Sequence, residues 1–125
     1  MSLESDLYAY LSTHAALTSV VGTRIYPAPL PQACSLPALT YSRISTATMY
    51  SHGGDSALDA VRLQFDCWAT SHTDVIALAA ALRAALTGKI ASLGVCFLDA
   101  DRDVYEPETG YRRRIMEIII WREEN

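Results

Sequence analysis

The sequence carries no surplus of basic charge: 10 Lys and Arg stand against 14 Asp and Glu, a formal net charge of −4 with three His neutral. A dedicated nucleic-acid binder, which grips phosphates through many Lys and Arg contacts, is disfavoured on that balance. No stretch approaches the ~18–20 uninterrupted apolar residues of a membrane-spanning helix. The longest alanine–leucine run, Val75 to Leu86, is shorter and holds Arg83. The opening Met1-Ser2-Leu3-Glu4-Ser5-Asp6 lacks the basic start of a signal peptide, so the expectation is a chain that stays in the cytoplasm. Cysteine is scarce and odd in number: Cys34, Cys67 and Cys96 show no CxxC, which argues against a disulfide framework and a structural zinc site. Low hydrophobicity is lacking too. Half the residues are hydrophobic, which excludes intrinsic disorder, and 125 residues suit a single domain, 1–125, around one core.

What is present reads as an α+β order. Leu3, Leu7, Tyr10, Leu11 and Leu17 give a greasy helical face over residues 2–18, capped by Ser2 with Asp6 in the first turn. Ile25-Tyr26 enters a crossing rich in proline (Pro27, Pro29, Pro31, Pro37), which cannot be a central strand because proline donates nothing to a ladder. Ala38 to Thr46 reads as a strand that frays into a loop. The loop centres on His52, Gly53, Gly54 and Asp55, flexible turn chemistry and a candidate docking loop. From Leu58 to Ala69 the alternation is strict: Val61, Leu63, Phe65, Cys67 and Ala69 take one face, Arg62, Gln64 and Asp66 the other. A second helix follows Ser71, with Asp74 near a capping-box position and Gly88 placed to end it. A hairpin closes the chain, Val95 to Tyr105 and Tyr111 to Arg122, joined through Glu106-Pro107-Glu108-Thr109-Gly110. The expected architecture is therefore a roughly four-stranded, mainly antiparallel sheet with two helices packed on one face.

The last strand is apolar on both sides, Met116, Ile118 and Ile120 alternating with Ile115, Ile119 and Trp121. Two helices cover one face of such a sheet. Ile115, Ile119, Trp121 and Trp68 are then left as a candidate subunit interface, unless the C-terminal strand is central or the proline-rich crossing covers them.

Chemistry finds little to work with. Cys67 lies near His72 in sequence, but on the apolar side of its strand, where a thiol is a small hydrophobe with a raised pKa. Asp99, Asp101 and Asp103 open like a calcium loop, yet Val104 and Gly110 stand where the turn glycine and the final glutamate belong. No metal, cofactor or catalytic residue is assigned. Gly53-Gly54 lacks the Lys-Ser/Thr of a phosphate loop. On one strand the three aspartates project from one face, a solvated row by default. Arg112, Arg113 and Arg114 lie across the turn, where they pair with these acids or form a docking arm.

These segments, taken in order, resemble the tail-completion or tail-terminator proteins of long-tailed phages and prophages. The likeness rests on Leu3-Glu4-Ser5-Asp6-Leu7-Tyr8, on Val20-Val21-Gly22-Thr23-Arg24-Ile25-Tyr26-Pro27, and on Leu36-Pro37-Ala38-Leu39-Thr40-Tyr41. It continues through Val61 to Ala69, Asp103 to Arg112 and Ile120-Trp121-Arg122. The resemblance implies a mixed sheet with helices on one face and a ring, commonly of six subunits. It implies that the ring caps the tail tube, stops its polymerisation and joins the head, with no catalysis. The implied partners are other copies, the tube protein and the head connector, with DNA passing through the lumen unbound and no membrane; Asp99, Asp101 and Asp103 are then candidates to line that lumen or to dock. The implied location is the host cytoplasm during assembly, then the virion tail. The alternatives are another connector or minor tail protein, or a small-molecule-binding or enzymatic domain.

Overall fold

A computed structural model describes residues 2–50 and 57–123. The elements are α1 (Leu3–Ser12), α2 (Ala15–Val21), β1 (Ile25–Pro27), β2 (Ala38–Tyr50), β3 (Ala57–Ala69), α3 (His72–Ala85), β4 (Gly88–Ile90), β5 (Gly94–Glu106) and β6 (Tyr111–Glu123). The strands form one sheet in the order β1-β2-β3-β6-β5-β4. β1 runs parallel to β2, and every other pair is antiparallel.

The expected four-stranded antiparallel sheet with two helices is thus corrected to a six-stranded mixed sheet, curled into a half-barrel, with three helices. The two extra strands are three residues each and sit at the edges. Neither is long enough to show a period, and Gly88, read as a helix terminator, in fact opens β4 with φ +87°. The long first helix divides at Thr13–His14. There the hydroxyls of Ser12 and Thr13 bond back to the carbonyls of Ala9 and Tyr10, and His14 starts α2. β2 runs on to Tyr50 instead of fraying, because β3 pairs with it as far as Tyr50↔Ala57.

The helices lie on one face. Leu3, Leu7 and Leu11 from α1, Leu17 and Val21 from α2, and Val75, Leu78 and Leu82 from α3 are all buried. Beneath them the sheet contributes Leu39, Tyr41, Val61, Leu63, Phe65, Cys67, Met116, Ile118 and Ile120. These are the alternating residues the β3 and β6 patterns foretold, since period two sends every second side chain to one face. Ser71 caps α3 by accepting from the Asp74 amide. Gly94, at φ +128°, lets β5 begin against β6, where a Cβ would collide with the Trp121 carbonyl.

Candidate assembly interface

Register settles which side chains share the helix-free face. Ala60 lies opposite Trp121, Arg62 opposite Ile119, Gln64 opposite Glu117, Asp66 opposite Ile115, and Trp68 opposite Arg113. Val95 and Phe97 of β5 join Trp121 and Ile119 on the same side. The face falls into three zones along the strands.

At the hairpin end the zone is polar and closed. The Trp68 indole donates to Thr40 Oγ1 at 3.0 Å, and the Arg113 guanidinium lies 4.9 Å from the Trp68 ring centroid. Tyr111 meets Trp68 edge-on at 6.3 Å. Arg113 also bonds Asp66 at 3.2 Å and approaches Glu106 at 3.6 Å. A groove of about 580 Å³ separates this cluster from Pro29, Pro31 and Gln32 of the crossing.

In the middle, Arg62 holds Asp99 at 2.7 Å and Glu117 at 2.9 Å. At the far end the face is apolar and open: Met49, Leu58, Val95 and Phe97 are exposed, with Ile119 and Trp121 half-buried among them. Leu58, Val95 and Trp121 also line a depression of about 470 Å³.

The four residues expected at the open apolar face therefore separate. Ile119 and Trp121 lie in the open zone. Trp68 is only 9% exposed and Ile115 only 4%, because polar neighbours close over that end of the sheet. Sequence reasoning missed Val95, Phe97, Leu58 and Met49. Their strands carried the right alternation, but only the register brings them together.

The acidic row is also divided. A bulge between Leu98 and Ala100 shifts Asp99 out of phase, so it faces Arg62 on the helix-free side. Asp101 and Asp103 lie opposite Met116 and Arg114, on the helix-covered side. Asp103 takes two bonds from Arg114, at 2.7 and 3.2 Å, and those bonds hold its carboxyl below the usual range. Arg112 stacks on Tyr105 at 5.0 Å. Two of the three arginines thus meet acids across the hairpin, Arg114 at Asp103 and Arg113 at Glu106.

Burial pushes the Cys67 thiol up, and its sulfur rests 3.8 Å from that of Met116. Burial raises Cys96 to about 11. Among the described residues, no group of three or more His, Cys, Asp or Glu is placed to hold a metal ion. No helix among them is long and apolar enough to cross a membrane. The loop residues His52, Gly53, Gly54 and Asp55 lie outside the described residues.

The fold and this face define a protein that presents surfaces: a helix-backed sheet with one side left for contact. The model of the family "Tail completion protein gp17" matches residues 5–123, and the chain belongs to that family. It is a structural protein of phage tails and not an enzyme. A chain from the virion of a native gene transfer agent particle shares the fold with TM-score 0.78 at 20% identity, covering 98% of this chain and 96% of that one. None of the curated proteins matches the sequence.

Proposed function

We propose that copies of this chain close into a ring, of six subunits, on the end of a finished tail tube. The ring stops tube polymerisation and offers the surface that meets the head connector. The observation that carries the reading is the apolar zone of Leu58, Val95, Phe97, Ile119 and Trp121, which no helix among the described residues covers. Ile115 and Trp68, proposed beside them from the sequence, support that surface from within instead of meeting a partner.

A ring through which DNA passes is served by a lumen that does not grip phosphate. On the helix-free face Asp66, Asp99, Glu106 and Glu117 answer Arg62, Arg102 and Arg113, and all four acids bond an arginine or approach one within 4 Å. Strand alternation sends Arg112 and Arg114 to the other side, so the three arginines form no basic strip there. Asp99 is the lumen residue of the acidic row in this reading; Asp101 and Asp103 serve the outer side. His52 to Asp55 are proposed as the segment that docks on tube or connector.

Deleting the gene from its phage or prophage and imaging the induced particles tests the role. Full heads beside detached tails of excessive, irregular length are expected. Tails of normal length that fail to join would move the role to the connector, and normal joined particles would overturn it.

A further inference from the structure

The sheet has two long edges that the described residues leave unpaired. β1 covers only Leu39–Tyr41 of β2, and β4 covers only Gly94–Cys96 of β5. Among the described residues, no strand pairs with the outer edge of Ser42–Tyr50 or of Phe97–Glu106. Free edges of this length are templates for another strand, and proteins normally blunt them. Each edge here is broken once by a bulge, at Ile44 and at Asp99, and otherwise remains extended.

The two edges differ in chemistry. From Ser45 to Tyr50 the β2 edge has no charge and is rich in Thr, Ser, Met and Tyr. The β5 edge holds Asp99, Asp101, Asp103 and Glu106 against a single cation, Arg102, and is net acidic. Two β5 edges repel each other, whereas an uncharged β2 edge accepts an acidic one. Unlike edges pairing head to tail is the kind of contact that closes into a ring.

We propose that the β2 edge of one copy adds to the β5 edge of the next, so that the sheet runs on from subunit to subunit. The inference rests on the ring reading above and names the contact that would build it.

Direction agrees. β2, β3, β6 and β5 alternate up and down, so a neighbour rotated about an axis along the strands brings its β2 antiparallel to β5. Side chains must stay on their own face across the seam, which requires an even offset. With no offset, only Ser42–Ser45 is level with Phe97–Ala100. An offset of about four residues overlaps most of both edges and, over four strand spacings, tilts the strands by ~35°, the range in which barrels close. That offset sets Arg43 opposite Asp103, Ala47 opposite Ala100, and Met49 opposite Phe97. The two exposed halves of the apolar zone, Met49–Leu58 and Val95–Phe97, then meet across the seam. The helices lie outside, where the circumference has room for them.

The test uses particles assembled with the full chain carrying Cys34→Ser, Ala47→Cys and Ala100→Cys. Oxidation to the disulfide, or a short bifunctional thiol-reactive linker, is expected to give a ladder of linked copies. Ser45→Cys or Met49→Cys with Ala100→Cys scans the neighbouring even offsets, and a ladder from any of the three supports edge pairing. Rings seen by electron microscopy with no ladder from any pair would overturn the pairing and leave the ring reading standing. Particles with no ring at this position would overturn both. If the cysteine chains do not assemble, hydrogen exchange on the unsubstituted chain decides. Amides of Ser42–Tyr50 and Phe97–Glu106 slow in the particle relative to the free chain if the edges pair, and exchange equally in both if they do not.

Discussion

Ile118 and Ile119 are neighbours on β6 and have opposite fates. Ile118 is fully buried under the helices, while Ile119 stands half-buried on the helix-free face beside exposed Phe97. Ile115, on the same free face as Ile119, is nevertheless buried. A hydrophobic residue on an uncovered sheet face is therefore not by itself an interface residue. Ile115 lies between Asp66 and Arg102 and Ile119 between Arg62 and Phe97, so the cross-strand neighbours that register supplies, and not the residue type, accompany the different exposures.

The comparison of the two faces can be broken most severely at the helix-covered side. Phe65→Ala empties the centre of the core, where Phe65 is 0% exposed, and is expected to cost about 3–5 kcal/mol in urea unfolding. A loss below about 1 kcal/mol would mean that the helices do not seal this face. Next come the two isoleucines. Ile118→Ala is expected to lose about 2–4 kcal/mol of folding stability. Ile119→Glu is expected to leave the folded chain within about 1 kcal/mol but to abolish its incorporation into particles. Equal stability losses at the two positions would erase the distinction between the faces.

The junction of β5 with β6 gives a smaller effect. Gly94→Ala, forced against the Trp121 carbonyl in a backbone region that L-residues rarely adopt, is expected to cost about 1–3 kcal/mol. Thermal unfolding reads it, and an unchanged midpoint would mean that β5 can start elsewhere. Smallest is the charge pair that fastens the hairpin. Because the folded Asp103 carboxyl is lowered by Arg114, its contribution is full above the unfolded carboxylate range and disappears as pH falls through the lowered folded value. Asp103 is half exposed, so the contribution is at most about 0.5 kcal/mol. Asp103→Asn should be less stable than the unsubstituted chain at about pH 7, and the gap should close as pH falls below the lowered folded pKa of Asp103. A gap that persists in acid would mean the pair acts through shape and not charge.

The core strands and the caps were legible because their signals are local. β3 alternates without a break, Ser71 bonds the Asp74 amide as its spacing implies, and the Glu106–Gly110 connection turns where proline and glycine stand. The functional face was legible only in part. Ile119 and Trp121 are recognised because β6 is apolar on both sides, but their companions Val95, Phe97, Leu58 and Met49 come from three other strands. β1 and β4 are too short to have a period, and each exists because a longer strand offers it an edge.

The bulge at Asp99 shows the same limit in one residue. Asp99, Asp101 and Asp103 are evenly spaced in the chain, and even spacing places side chains on one face only if the ladder is unbroken. One extra residue between Leu98 and Ala100 sends Asp99 to Arg62 and leaves Asp103 with Arg114. By itself, the sequence determined the alternating core strands, the helix that starts after Ser71, the closing hairpin and the likeness to tail-completion proteins. These rest on interactions between residues near one another in the chain. The tertiary structure alone decided which apolar residues stay open and where the two sheet edges are free. Those depend on the register between strands far apart in sequence, which no local pattern encodes.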